Sequence, residues 1–181
     1  MATPIADYAL ISDCQGSALV SRSGSMDWAC LPRFDSPSVF ARLLGPAGGH
    51  WHIGPVGPAE VERSYLTDTM VLRTVFRTET GVVAVTDALA LSRDERGHQI
   101  GRHAPHVIVR VVEGVEGEVD IEFELAPRAE YGLTVPVFMP VAGGVRSRGG
   151  PLSYLVSSAL ALDADDGTVR AALRLSSGEH H

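Results

Sequence analysis

The chain has 181 residues, 45% of them hydrophobic, which is enough apolar material for one domain with a sizeable core. Its formal net charge of -7 argues against nucleic acid as a partner, because phosphate binding requires clustered positive charge. No apolar run approaches the roughly 18 residues of a membrane span, and the N-terminus lacks a secretory signal, so we expect a cytoplasmic protein with no membrane partner.

The first predicted element is a β-hairpin. Residues 18–21 and 26–30 are apolar-rich runs that flank the loop Arg22-Ser23-Gly24-Ser25, in which Gly24 suits a positive φ. After the hairpin, Ser36 is a suitable N-cap, Pro37 suits a first helical position and Gly45 suits a helix stop. These signals predict a short helix over residues 37–44.

Alternating strands dominate the rest of the chain. In residues 71–77, Leu72, Thr74 and Phe76 share one face. In residues 118–125, acids alternate with four inward-facing apolar residues, namely Val119, Ile121, Phe123 and Leu125. Further strands are predicted at residues 82–87, 106–112, 152–160 and 168–175, with 106–112 and 152–160 covered on both faces and with Gly81, Gly114 and Gly117 at the breaks.

The predicted fold is therefore all-β. About ten or more strands with one short helix must close into a barrel or pack one sheet on another. We expect an antiparallel β-sandwich of two packed sheets, with residues 1–181 forming a single domain.

Loop 27–35 concentrates the side chains best suited to a ligand. Trp28 or Phe34 would stack on a sugar ring, while Arg33 and Asp35 would hydrogen-bond its hydroxyl groups. The alternative is structural, with Trp28 in the core and an Arg33–Asp35 ion pair that fixes the loop. These four residues are the candidates for the rim of a substrate pocket.

Other polar clusters carry weaker signals. The acidic strand face Glu118, Asp120, Glu122 and Glu124 is too spread for one cation, and we expect it to be solvated or paired with Arg73 and Arg77. The histidines at 50 and 52, and those at 98, 103 and 106, lack a recognised metal-ligand spacing. Cys14 and Cys30 form no disulfide framework, so we expect reduced thiols. No cofactor and no metal is predicted.

A resemblance extends over nearly the whole chain. Its most specific block is Pro32-Arg33-Phe34-Asp35-Ser36-Pro37, preceded by Asp27-Trp28 and followed by Phe40, Gly48-Gly49-His50-Trp51 and Pro127-Arg128-Ala129-Glu130-Tyr131-Gly132. In this order the segments resemble the start of bacterial family-15 glycoside hydrolases, the glucoamylase-like and trehalase-like enzymes. Ala29 and Met26 stand where the family more often has larger or branched apolar residues.

The resemblance implies the N-terminal part of a larger enzyme. In this family a β-sandwich precedes an (α/α)6 catalytic barrel, in which two glutamates perform inverting hydrolysis. Neither glutamate matches a position in this sequence, so no catalytic residue is assigned. The implied partners are the barrel, in cis or in trans, and an α-glucoside such as trehalose or maltose.

Two other functions stay open. A free-standing carbohydrate-binding module would bind trehalose or maltose by itself. A structural or dimerisation domain would form a homo-oligomer through an exposed apolar patch.

Overall fold

A computed structural model describes residues 3–150 and 152–181. It confirms the all-β prediction, because it contains fourteen strands and one short helix, α1, at Ala129–Gly132. The described residues include no helix that is long and apolar enough to cross a bilayer. The strands are β1 Tyr8–Ser12, β2 Ser17–Ser21, β3 Ser25–Cys30, β4 Ser38–Ala41, β5 His50–Pro55, β6 Glu60–Tyr65, β7 Leu72–Arg77, β8 Gly81–Leu89, β9 Ile108–Ala126, β10 Val137–Val141, β11 Gly144–Arg148, β12 Leu155–Ser157, β13 Asp163–Asp165 and β14 Thr168–Ser176.

The strands form two antiparallel sheets, as predicted. Eleven strands make one curled sheet in the order β1-β2-β3-β5-β9-β8-β7-β6, with β4 beside β3 and with β14, which carries β13, beside β9. The other sheet has the order β10-β11-β12. Val145 and Val156 of the smaller sheet join the same buried cluster as the large sheet, so both sheets enclose one core.

Strand β9 lies in the middle of the large sheet and connects its two groups of strands. Its first half pairs with β8, from Ile108 to Gly117, and its second half pairs with both β5 and β14. Gly114 and Gly117 lie inside this strand, so the predicted breaks there are wrong. Both glycines are needed for close backbone approach, since a Cβ at Gly114 would overlap the Ser176 carbonyl oxygen and one at Gly117 would overlap that of Thr80.

The predicted inward faces are confirmed. Leu72, Thr74 and Phe76 of β7 are each at most 1% exposed, and so is Ile121 of β9. The front hairpin is also confirmed as β2 and β3, with Gly24 at φ 82° in its loop. In these strands the two-residue repeat of apolar side chains was enough to predict the buried face, because only one face of the sheet contacts the core.

The helix predicted over residues 37–44 is wrong. Residues 38–41 form β4, which pairs with β3 and is buried at every position. Ser38, Val39 and Phe40 favour a strand once a partner strand is available, and this tertiary pairing overrides the local capping signals. The observed helix, α1, instead contains Glu130 and Tyr131 in the left-handed region of φ and ψ.

Two predicted central strands are also corrected. Strand β9 starts at Ile108, and up to Gly114 its residues alternate between exposed positions and positions that are half-buried or buried. Of residues 152–160, only β12 is a strand, and it pairs with β11 alone. Runs rich in apolar residues do not distinguish a covered strand from an edge segment that lies against a cavity.

An ion pair lies inside the core. Arg110 of β9 donates from Nε to the Asp87 carboxylate of β8 at 2.8 Å, and both side chains are fully buried. The same guanidinium donates to the carbonyl oxygens of Trp51 at 2.6 Å and Gly24 at 2.7 Å. The pair therefore links β8, β9, β5 and the front hairpin loop, and its charges and donors are matched by partners.

Candidate functional site

Strand β3 positions the first candidate, Trp28, at its half-buried point. Every other residue of β3 is buried, and Trp28 alternates outward between Asp27 and Ala29. Its ring lies 6.2 Å from the ring of Tyr131, at an interplanar angle of 43°. Tyr131 is 54% exposed and belongs to α1, so Trp28 is one half of an aromatic pair at the surface.

Arg33 and Asp35 form an ion pair on the exposed loop that follows β3. Arg33 Nε donates to Asp35 Oδ1 at 2.9 Å, and both side chains are more than half exposed. The hydrogen bond from Arg33 lowers the pKa of Asp35, and the carboxylate in turn raises the pKa of Arg33. The pair is thus fully charged at neutral pH and retains atoms that face solvent for further hydrogen bonds.

Phe34 lies between these two charges with 66% of its surface exposed. Its backbone N–H donates to the carbonyl oxygen of Gln15 at 2.7 Å, and the N–H of Ser36 donates to the carbonyl oxygen of Arg33 at 3.0 Å. The backbone is therefore held in a turn while the ring remains free for a flat ligand surface. Among the described residues, no ring contact joins Phe34 to Trp28, so the loop presents two separate aromatic positions.

Asp27 has a structural role. The residue is 5% exposed, and its carboxylate accepts hydrogen bonds from the hydroxyl of Tyr8 at 2.8 Å and from the hydroxyl of Ser25. Burial, followed by the contact with Asp27, raises the pKa of Tyr8. Arg42 lies 3.8 Å from the same carboxylate. Of the two carboxylates in loop 27–35, Asp27 therefore forms hydrogen bonds inside the fold, and Asp35 lies at the surface.

Tyr131 adds an aromatic ring to the site and is not among the four predicted rim residues. It lies in the segment Arg128-Ala129-Glu130-Tyr131-Gly132, about one hundred positions from Trp28, and no local pattern reports a contact of this range. Its left-handed backbone, with φ 60°, directs the chain through a tight turn. The signals available in the sequence were the family resemblance that includes residues 127–132 and the position of an aromatic residue next to glycine.

The acidic face of β9 is paired, but with other partners than those predicted. Arg170 binds Glu124 at 2.8 Å and Arg174 binds Asp120 at 2.8 Å, while His52 lies 3.2 Å from Glu122. Arg73 binds Glu113 instead. The predicted pairing of residues 118–124 with Arg73 is wrong because β7 and β8 lie beside the first half of β9, whereas β14 and β5 flank the second half, which carries the acidic face.

His50 and His52 of β5 are partly buried beside this face. His50 Nε2 lies 3.0 Å from Glu124 Oε1. Burial lowers the pKa of both histidines, and Arg42 contributes in each case. Burial by itself would raise the pKa of Glu124, but Arg170 and His50 lower it overall. The histidines are therefore neutral hydrogen-bonding groups at neutral pH.

These shifts predict a loss of stability in acid. Unfolded histidine binds a proton near pH 6.5 while the folded side chains still resist it, so the unfolded state holds more protons and the free energy of unfolding falls below about pH 6.5. We expect the double substitution His50→Gln and His52→Gln to make this fall shallower. Urea unfolding from about pH 5 to pH 8 measures it. Identical pH slopes in the two proteins would contradict the prediction, and exposed His98→Gln is the control.

A metal site is not formed by these histidines. Within residues 3–150 and 152–181, no three histidine, cysteine or acidic side chains lie close enough together to hold an ion. His103 instead pairs with Glu95 at 3.0 Å.

Comparison with known proteins gives a consistent result. The family model described as "Trehalase-like, N-terminal" matches residues 1–174. The trehalase of Mycolicibacterium smegmatis is 38% identical over 138 residues, which are 71% of this chain and 21% of that enzyme. The trehalase of Mycobacterium tuberculosis is 37% identical over 138 residues, or 71% of this chain and 20% of the enzyme.

An archaeal enzyme is similar over nearly the same fraction of this chain. Trehalase 1 of Sulfolobus acidocaldarius is 34% identical over 131 residues, 72% of this chain and 20% of its own length. No solved structure matches the chain significantly. The chain spans about a fifth of the length of the curated relatives that it matches, and it belongs to the family of trehalase-like N-terminal domains.

Proposed function

We propose that this chain is the non-catalytic N-terminal domain of a trehalase-like glycoside hydrolase. It packs on an (α/α)6 catalytic barrel, in cis or in trans, in the cytoplasm. Its loop 27–35 forms part of the rim of a pocket for an α-glucoside such as trehalose. The family match over residues 1–174 carries this proposal, because the relatives with this segment are named trehalases.

The electrostatics of the chain suit a supporting role. An inverting glycosidase needs one carboxyl group with a raised pKa as proton donor and a second carboxylate to activate water. Among the described residues, nearby cations and hydrogen-bond donors lower the pKa values of Asp35, Glu95, Asp120 and Glu124. These groups are suited to ion pairs and hydrogen-bond acceptance, and the proton donor would come from the barrel.

The geometry of the loop suits contact with a sugar. A pyranose ring offers a flat C–H face to aromatic rings and a polar edge to charged groups. Phe34 supplies an exposed ring between the charges of Arg33 and Asp35. The Trp28–Tyr131 pair offers a second aromatic position a short distance along the chain from the first.

The test is a chimera in which this chain replaces the N-terminal segment of the Mycolicibacterium smegmatis trehalase. We expect the chimera to hydrolyse trehalose, and this chain alone to do so no faster than buffer. Hydrolysis by the isolated chain would overturn the proposal. Calorimetric binding of millimolar trehalose or maltose to the isolated chain would favour the carbohydrate-binding module instead.

Arg33→Ala in the same chimera tests the rim. We expect kcat/KM to fall about tenfold, because a charged hydrogen-bond donor is removed from the rim. Tm should not change, since the Arg33–Asp35 pair is exposed. Arg146→Ala is the matched control, because Arg146 is also an exposed arginine with one short-range partner, Ser153. A lowered Tm with unchanged kinetics would assign Arg33 a structural role.

A further inference from the structure

Strand β9 has an edge that is only partly used. Val112 exchanges two backbone hydrogen bonds with His181, at 2.8 and 2.9 Å. The N–H of Gly114 donates to the backbone carbonyl oxygen of Glu179 at 2.9 Å. These contacts lie on the side of β9 opposite β8, which pairs with the strand from Ile108 onward. Residues 179–181 therefore occupy the start of this edge.

The next positions on the same edge are open. Alternate residues of a strand direct their backbone groups to the same side, so the N–H and C=O groups of Arg110 and Ile108 face the way that those of Val112 face. The carbonyl oxygen of Val107, one residue out of phase, accepts from Ala90 on the β8 side, which fits this alternation. No pairing partner for Ile108 and Arg110 on the open side occurs within the described residues.

A cavity of about 560 Å³ lies beside this edge. Its lining includes the open part of β9 and His181, and it extends between the core face of the large sheet and β12. The walls are mainly apolar, with Trp51 and Phe123 from the large sheet and Val156 from β12. A strand added to the edge of β9 would thus place alternate side chains directly into this space.

Two wall residues carry polar atoms without partners. The indole N–H of Trp51 and the hydroxyl of Tyr154 are buried and make no hydrogen bond within the described part of the chain. Burial also raises the pKa of Tyr154 to about 12. An unpaired buried donor costs about 1–3 kcal/mol, so these two groups are a local cost of this wall, and the apolar character of the remaining lining is what suits an apolar strand.

We propose that the open edge of β9 is the acceptor for a β-strand supplied by the polypeptide that carries the catalytic barrel. The strand would lie in line with residues 179–181, antiparallel to β9, and hydrogen-bond to Arg110 and Ile108 while its apolar side chains fill the cavity. Its chemistry is an extended segment of about five residues, or roughly 17 Å, with alternating apolar positions. This inference rests on the proposed function, since it names a contact surface for the same partner.

The pairing of residues 179–181 with β9 supports the barrel polypeptide as the source of the added strand. Residues 179–181 already lead the backbone toward Arg110, and the matched relatives continue for several times the length of this chain. A segment that enters beside His181 would meet the open hydrogen-bonding groups without rearrangement of β9. It would also cover the apolar wall that the smaller sheet leaves bare.

The first experiment is amide hydrogen exchange on the chain with and without an added strand. The extension Thr-Val-Thr-Val-Thr-Val is appended after His181, and a version with proline in place of each valine is the control. We expect the valine extension to slow exchange at Ile108 and Arg110 about tenfold or more and to raise Tm by several degrees, and the proline version to do neither. Slow exchange at both amides in the unextended monomer, or no change on extension, would overturn the proposal.

The second experiment uses the trehalase chimera and separates the two proposals. We expect the Ile108 and Arg110 amides to be protected there as well. An active chimera with unprotected amides would overturn the strand acceptor alone, whereas an inactive chimera with protected amides would overturn the proposed function alone. Protection in the isolated chain that increases with concentration, together with a dimer in light scattering, would assign the edge to a second copy and overturn the proposal.

Discussion

Asp87→Ala is expected to lower the free energy of unfolding by about 3–5 kcal/mol, as is typical when one partner of a buried ion pair is removed. Arg110 would keep its positive charge in a fully buried position. Its two remaining acceptors, the carbonyl oxygens of Trp51 and Gly24, are neutral and do not balance that charge. Urea unfolding with linear extrapolation measures the loss.

Matched variants separate this effect from a general effect of removing an acid. Asp120→Ala removes an exposed carboxylate that binds Arg174 at the same Nε–Oδ1 distance of 2.8 Å, and its midpoint of unfolding should not move. The double variant Asp87→Leu and Arg110→Met should recover most of the lost stability, because an apolar pair leaves no unpaired charge. Equal losses for Asp87→Ala and Asp120→Ala would contradict our account of the core.

Phe76→Ala is expected to lower the free energy of unfolding by about 3–5 kcal/mol, because it removes an aromatic side chain that is only 1% exposed in the core. Phe76 lies on β7 and reaches the front hairpin, where its ring would be 3.2 Å from a Cβ at Gly24. The cavity left by the substitution would therefore separate β7 from the β2–β3 turn. Thermal and urea unfolding both report the change.

Phe34→Ala is the matched control for this prediction. The same side chain is removed, but Phe34 is 66% exposed whereas Phe76 is 1% exposed. We expect no measurable loss of stability from Phe34→Ala and a lower affinity for substrate in the trehalase chimera. A large loss of stability from Phe34→Ala would show that its ring packs in the fold and would remove it from the rim.

The sequence predicts the fold correctly in strands whose apolar residues alternate and pack one face against the core. The alternation in residues 118–125 identified Val119, Ile121, Phe123 and Leu125 as buried, and each is at most 8% exposed. The capping signals predict a helix over residues 37–44 because they are local, whereas β4 depends on a partner strand in the hairpin before it. The continuity of β9 through Gly114 and Gly117 depends on backbone neighbours that no local signal reveals.

The candidate site was predictable in its local part only. Arg33 and Asp35 are two positions apart, and the ion pair weighed as the structural alternative is present while both side chains stay exposed. Tyr131 and Arg110 were missed because their contacts join distant parts of the chain. The contact of Tyr131 with Trp28 and the contact of Arg110 with Trp51 exist only in the folded chain, so the sequence pattern does not reveal them.

The position of β9 in the topology has a consequence for synthesis on the ribosome. This strand needs β5 and β14 on its two sides, and β14 ends at Ser176. The interior therefore cannot close before residue 176 has left the exit tunnel, and the apolar faces of the earlier hairpins remain uncovered until then. We expect truncation before β14 to give insoluble material, because the apolar face of β9 would lose its partner strand.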